Sequence, residues 1–394
     1  MLTTALMIVI SAQRLYTPQE SIDAPLLFIE DGLISAISSR AQSEVPGNAT
    51  LIDLRDSILA PGFVDIHIHG GAGLDVMRSA PSDLPRLHRF LASHGVTAYF
   101  PTTVAAPLDQ TCAALSRLAD AIESGDVTDD RIPQARPVGI HLEGPFLSHK
   151  RRGVHPPEYL VSPTVGTFDQ LWQAARGHVR MMTIAPELPG AVEVIAHAAR
   201  RNVLVSIGHS DAQLDAAQAA VQAGARHATH TFNAMRPLDH RDPGILAEVL
   251  TNAQLSADII ADGIHVAPEV VKLFLQAKGI DLSVLITDAT AAAGMPDGTY
   301  QLGPVQVEVR DGRCTSDGRL AGSVLTMDRA VRNVQQYAGW NLQQAIRAAT
   351  LNPTRAAGLT KPGALTLGAE ANIVVLSPSG EVRQPIVCGM TASL

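Results

Sequence analysis

From about residue 61 onward the chain repeats one pattern eight times: a short apolar run followed by an amphipathic stretch. The runs are 63–68, 97–101, 138–142, 179–184, 203–207, 228–232, 256–260 and 283–286. Apolar runs this short, bounded by turn residues, read as strands buried on both faces. The stretches between them carry helical periodicity, as at 82–94, 108–122, 191–200 and 211–223. For the last of these, Ser210 is the expected N-cap and Gly224 the stop. Eight strands each followed by a helix over about 230 residues is the arithmetic of a (β/α)8 TIM barrel. An open doubly wound sheet is the rival. No Gly-x-Gly-x-x-Gly opens a helix after the first strand, which weighs against that rival.

The two ends differ from the middle. Residues 5–10, 25–29, 33–37 and 371–376 read as short strands broken by turns such as Glu30-Asp31-Gly32. The expectation is an α/β fold. A TIM barrel over 61–354 carries a small β-sandwich domain built from 1–60 and 355–394. The apolar stretch 1–10 is read as a strand, because no basic segment precedes it and no small-residue cleavage site closes it. No later run reaches the ~18 apolar residues of a membrane span. Thirty basic against 38 acidic residues give a net charge of −8, which argues against a nucleic-acid partner. Cys112, Cys314 and Cys388 are scattered, forming neither a disulfide framework nor a metal cluster, and a reducing cytoplasmic setting is expected.

Barrel chemistry is built at the C-terminal ends of the strands. The first run ends in His67-Ile68-His69, and alternation puts both imidazoles on one face. The third ends in His141-Leu142-Glu143, the fifth in Gly208-His209-Ser210 and the sixth in His230-Thr231-Phe232-Asn233. The seventh leads to Asp262-Gly263-Ile264-His265, and the eighth to Thr287-Asp288-Ala289. A lone His at a strand end is an ordinary structural residue. Several converging on one rim with carboxylates are costly unless something compensates them, and a divalent metal does so. Such a metal supports hydrolysis near neutral pH, with a carboxylate moving the proton. Asp288 is placed for that role, or for a ligand's role, and the two can coexist.

These residues resemble the amidohydrolase superfamily, whose barrels open on a Pro-Gly-Phe-Val-Asp-x-His-x-His strand, here Pro61 to His69. Within it the chain resembles the N-acetylglucosamine-6-phosphate deacetylase family. The matching stretches are His141-Leu142-Glu143-Gly144-Pro145-Phe146, Gly208-His209-Ser210, Thr229 to Met235, Asp262 to His265, Thr287-Asp288-Ala289-Thr290 and Leu320-Ala321-Gly322-Ser323, in order along nearly the whole chain. The resemblance implies Glu143, His209 and His230 as principal metal ligands and Asp288 as acid/base. It implies substrate contacts at Val154, His155, Asn233, Ala234, Leu320, Ala321 and Gly322. His265 is expected to bind sugar and polarise the acetyl carbonyl. Because His67 and His69 are both present, a second metal held by them and Glu143 is expected. The cofactor is thus one or two divalent metals per subunit, zinc first, with iron, manganese or cobalt also accepted by such ligands.

Arg241 resembles an arginine that reaches the phosphate of a phosphorylated amino-sugar substrate in the neighbouring subunit, which implies a homodimer. Its ordinary alternative is a surface ion pair with Asp239 or Asp242. The basic run Lys150-Arg151-Arg152 is read as a solvated loop and Glu187 as structural. The fourth strand ends Thr183-Ile184-Ala185-Pro186-Glu187 without a lysine, against dihydroorotase-like and hydantoinase-like sites bridged by a modified lysine. The expected reaction is deacetylation of N-acetylglucosamine 6-phosphate to glucosamine 6-phosphate and acetate. The rivals are the galactosamine epimer, an N-acyl amino acid deacylase, and a degenerate barrel kept as a scaffold. The scaffold is disfavoured because every expected ligand is present.

Overall fold

The eight apolar runs form eight parallel strands: Phe63–Ile68, Val96–Pro101, Ile140–Glu143, Val179–Ile184, Leu204–Ile207, His227–Ala228, Ser256–Ile260 and Ser283–Ile286. The computed structural model that shows them describes residues 7–17, 20–125, 132–360 and 362–391. Each strand neighbours the next in chain order, making a curled parallel sheet. Between the second and third, Arg136–Pro137 pairs with Ala98 and Tyr99, and Thr102 bridges His141. At the other end, the Asp288 amide donates to the His67 carbonyl (2.9 Å) and the His69 amide to Ala289 (2.8 Å).

Helices cover the sheet because each buries one apolar stripe. In Leu84–Ser93 the buried side chains are Leu84, Leu87, His88, Leu91 and Ala92, the i, i+3, i+4, i+7, i+8 spacing of one helical face. Helices Leu108–Ser124, Ala191–Ala199 and Leu214–Ala223 occupy the other three stretches named from sequence, the last stopping at Gly224. Two expectations need correction. Helix Leu214–Ala223 starts late, and Ser210 does not cap it. The Ser210 hydroxyl instead donates to Glu187 Oε2 (2.8 Å) and accepts the Ala212 amide (3.0 Å). The sixth strand stops at Ala228 rather than running to Phe232, because His230 and Phe232 take left-handed φ of 29° and 78° and leave the ladder.

The chain ends share one eight-stranded sheet, in which Ile373 lies opposite Pro61 and Leu376 opposite Ile58. Its first strand is seen as Met7–Tyr16; residues 5 and 6 of the expected 5–10 strand lie outside the described residues. Helix Leu351–Ala356 crosses the expected 354/355 boundary. After the eighth parallel strand comes an antiparallel sheet of Gly298–Leu302, Val305–Arg310, Arg313–Ser316 and Arg319–Leu320, which carries Leu302 and Leu320 to the rim. Among the described residues, no helix is long and apolar enough to cross a membrane.

Candidate metal centre and active site

Glu143 ends the third strand and is the hub of the rim. Its Oε1 lies 3.2 Å from both His209 Nε2 and His230 Nε2 and 3.5 Å from His67 Nε2. Its Oε2 lies 3.3 Å from His69 Nε2. Asp288 Oδ1 faces the same two strand-one imidazoles, 3.1 Å from His69 Nε2 and 3.4 Å from His67 Nε2. His67 Nε2 and His69 Nε2 are 3.3 Å apart, and His209 Nε2 and His230 Nε2 are 3.0 Å apart. An ion with bonds of about 2.1 Å in tetrahedral geometry holds neighbouring ligand atoms about 3.4 Å apart. The residues therefore fit a divalent metal, both in spacing and in the N/O donor set. His67, His69 and Asp288 make one group that could hold an ion, and Glu143, His155 and His209 make a second, with His230 Nε2 also 3.2 Å from Glu143 Oε1. Glu143 lies within reach of both.

Which imidazole can ligate follows from its other nitrogen. His69 Nδ1 faces the Thr102 carbonyl (3.1 Å) and His209 Nδ1 the Arg151 carbonyl (2.9 Å). A carbonyl only accepts, so both Nδ1 atoms carry a proton and Nε2 of each ring is the atom turned to the centre, free to ligate once it gives up any proton of its own. His155 is the reverse. Its Nδ1 accepts the Ala105 amide (3.1 Å), so the neutral ring carries its proton on Nε2. Although His155 Nε2 is 3.5 Å from Glu143, that atom is a hydrogen-bond donor rather than a ligand. His265 is fixed by Asp262, whose Oδ2 accepts from Nδ1 (2.7 Å) while Oδ1 takes the amides of Ile264 and His265.

The charges reinforce one another. Burial opposes ionisation of Glu143, yet His67, His155, His209 and His230 hold it well below the usual carboxylate range. Burial likewise opposes ionisation of Asp288, but His67 and His69 bring it to about 2. Burial would strip the proton from His69, but Asp288 and Glu143 raise it to about 10. His209 is driven down to about 4 by burial. Two buried carboxylates thus demand positive charge at the rim, from protons or from metal.

A cavity of about 200 Å3 opens above the centre, lined by His69, Glu143, His209, His230 and Asp288 together with Val154, His155, Asn233, Ala234, His265, Leu320 and Gly322. Three expected site residues do not line it. His67 is fully buried beneath, and Ala321 packs inward with Cys314 and Val307. Arg241 lies on an exposed loop, and among the described residues its guanidinium pairs with no acid. Asp239 takes the amides of Arg241 and Asp242, and the Asp242 carboxylate pairs with Arg236, so neither of the alternative ion pairs forms. Glu187 braces a loop, accepting from Ser210 and Asp211. His141 lies under the centre with Nε2 on Thr183 Oγ1 (2.8 Å) and its ring edge-on to His67.

Sequence reasoning missed Val104, Gly153 and Leu302 in the lining. It also gave Lys150-Arg151-Arg152 no role. The side chains of Lys150 and Arg151 do pair with Asp211, but the Arg151 carbonyl orients His209. A backbone carbonyl leaves no mark in sequence. Asp262 carried a readable signal, three residues before His265. Gly322 has φ 61°, and a Cβ there would lie 2.9 Å from the Asp288 carbonyl and 2.6 Å from Thr290 Cγ2. Gly322→Ala is therefore expected to lower turnover about 10²-fold by shifting the Asp288 turn. Steady-state kinetics beside an unchanged circular dichroism spectrum would register this; full activity would remove the constraint.

Residues 58–391 match the Amidohydrolase family. The chain is 38% identical over 387 residues to an N-acetylgalactosamine-6-phosphate deacetylase from Escherichia coli O157:H7, covering 98% of this chain and 99% of the relative. It is 36% identical over 379 residues to an N-acetylglucosamine-6-phosphate deacetylase from Bacillus subtilis strain 168, covering 95% and 94%. A solved structure of N-acetyl-D-glucosamine-6-phosphate deacetylase from Mycobacterium smegmatis, a mutant in complex with N-acetyl-D-glucosamine-6-phosphate, superposes with a TM-score of 0.91. That similarity comes at 33% identity and covers 99% of this chain and 100% of the other.

Proposed function

This chain belongs to the amidohydrolase family, and we propose that it removes the acetyl group of N-acetyl-D-glucosamine 6-phosphate, giving D-glucosamine 6-phosphate and acetate. The observation that carries this reading is the Glu143 hub, shared by two ligand groups, with Asp288 facing the same cavity as two oriented imidazole donors. The names of the relatives point to the acetamide of a 6-phosphorylated amino sugar. We further take the curled sheet as a closed (β/α)8 barrel, supported by the hydrogen bonds between His67, His69, Asp288 and Ala289. The sheet of both chain ends is taken as the β-sandwich domain of 1–60 and 355–394.

His67, His69 and Asp288 would hold one metal and Glu143, His209 and His230 the other, with Glu143 reaching both. Zinc is the first expectation, then iron, manganese or cobalt. A divalent ion bound there supplies Lewis acidity and lowers the pKa of water toward neutrality. Asp288 takes a proton from the attacking water and returns it to the departing amine. His265, its ring stabilised by Asp262, donates from Nε2 to the acetyl oxygen as negative charge builds there. His155 adds a second donor. Asn233, Ala234, Val154 and the Leu320–Gly322 turn position the sugar. The protein is read as cytoplasmic.

Phosphate recognition needs a cation, and Arg241 does not line the cavity of its own chain. Its exposure, and its lack of an acidic partner among the described residues, support a homodimer in which it reaches the neighbouring site, as a bidentate fork on phosphate. Mixing Arg241→Ala with Asp288→Asn chains is then expected to restore activity to about a quarter of wild type, because some sites receive both intact residues. If the mixture stays as inactive as its components after subunit exchange, the arrangement in trans is wrong.

The second reading, deacetylation of N-acetylgalactosamine 6-phosphate, is favoured by the Escherichia coli relative. Comparing kcat/KM on both phosphosugars and on unphosphorylated N-acetylglucosamine tests the choice. The glucosamine phosphate is expected to lead, with the unphosphorylated sugar lower by about 10- to 100-fold, the worth of a charge-assisted contact. A lead by the galactosamine phosphate would transfer the assignment to the epimer.

A further inference from the structure

The ligand histidines are not held alike. His69 and His209 each have Nδ1 fixed by a backbone carbonyl, at 3.1 and 2.9 Å. Among the described residues, His67 Nδ1 and His230 Nδ1 are both buried with no hydrogen-bond partner. His67 lies within a regular strand, whereas the His230 backbone takes a left-handed φ of 29°. Something other than its ring must fix where Nε2 points. The neighbouring strand supplies it: Asp258, fully buried, accepts the His230 amide on Oδ1, and its carbonyl accepts the Thr231 amide (2.9 Å).

Asp258 is itself locked. Its Oδ2 lies 2.9 Å from Nε2 of His227, which is also fully buried. His227 Nδ1 lies 2.6 Å from the Ser256 hydroxyl, and that hydroxyl is 3.1 Å from the Arg226 carbonyl. Hydrogen bonds therefore run from Arg226 through Ser256, His227 and Asp258 to the amide of His230. A carboxylate and an imidazole at zero exposure are retained only when each satisfies the other. Among the described residues, the remaining carboxylate oxygen has one partner, the His230 amide.

We propose that the buried His227–Asp258 pair is the positioning device for His230, holding it in the left-handed turn that aims Nε2 at Glu143 and His209. Asp258 touches neither metal nor substrate and is a positioning residue. The other ligand group, His67, His69 and Asp288, does not depend on it. The inference rests on the proposed reading of these groups as metal sites.

The test is zinc titration of full-length, chelator-stripped protein against a competing chromophoric chelator, for wild type, Asp258→Ala, Asp258→Asn and Ser256→Ala. Asp258→Ala is expected to weaken one zinc site at least tenfold and leave the other within threefold. Asp258→Asn should retain both, since its Oδ1 still accepts the amide and its Nδ2 can donate to a re-tautomerised His227. Ser256→Ala should also retain both. Equal loss at both sites, or no loss, would overturn the proposal. Absence of zinc binding by wild type would instead overturn the reading of the metal sites. A readout independent of folding of the variants is amide hydrogen exchange in stripped wild-type protein. The His230 amide is expected to be protected before any metal is added, and free exchange there would overturn the proposal.

Discussion

Asp288→Asn is expected to cut kcat about 10³-fold, within the range for loss of a positioned acid/base. The residue is buried at the end of the eighth strand, at φ 48°, with its amide on the His67 carbonyl and its own carbonyl taking the Ser323 amide. The backbone thus fixes the side chain, and asparagine fits the same turn, because Asn and Asp both tolerate left-handed φ. What is lost is a carboxylate able to hold a proton between water and amine. Because Oδ1 is also 3.1 Å from His69, weaker metal binding at the His67–His69 group is expected beside the kinetic loss. Metal analysis of the purified variant separates the two effects. Near wild-type turnover with full metal content would show that another group moves the proton.

Glu143→Gln is expected to be more damaging to metal content. Among the described residues, Glu143 alone approaches His67, His69, His209 and His230 together, through both oxygens. Glutamine keeps the shape and removes the charge that those imidazoles stabilise. Several kcal/mol of metal-assisted stabilisation would go with it, on the order of 10³-fold in turnover. Both ligand groups should lose affinity, measured as metal per chain after dialysis. Retention of full metal in this variant would mean that Glu143 is not shared between them.

The strands were legible because nearly every residue in them is buried, on both faces, so the sequence reads as short, mainly apolar runs such as Phe63–Ile68. The rim was legible because His67, His69, Glu143, His209, His230 and Asp288 stand where those runs end. The layer behind the rim was not. Thr102 and Arg151 act through backbone carbonyls, which any residue can offer. The early end of the sixth strand was hidden because it is imposed by contacts with Asp258, distant in sequence. The antiparallel sheet from Gly298 to Leu320 was passed over, although Val305–Arg310 alternates buried and exposed residues as half-buried strands do. The exposed position of Arg241 depends on a turn held by Asp239, a local contact without a periodic signature.

The most direct measurement is acetate release from N-acetylglucosamine 6-phosphate by chelator-stripped protein, titrated back with zinc and then with the other divalent metals. A metal-dependent site predicts no turnover by the stripped protein. Activity should rise with added zinc and reach its plateau by two equivalents per chain, the capacity of the two ligand groups. Full acetate release by stripped protein would contradict it, because the buried charges at the rim would then do their work without a metal.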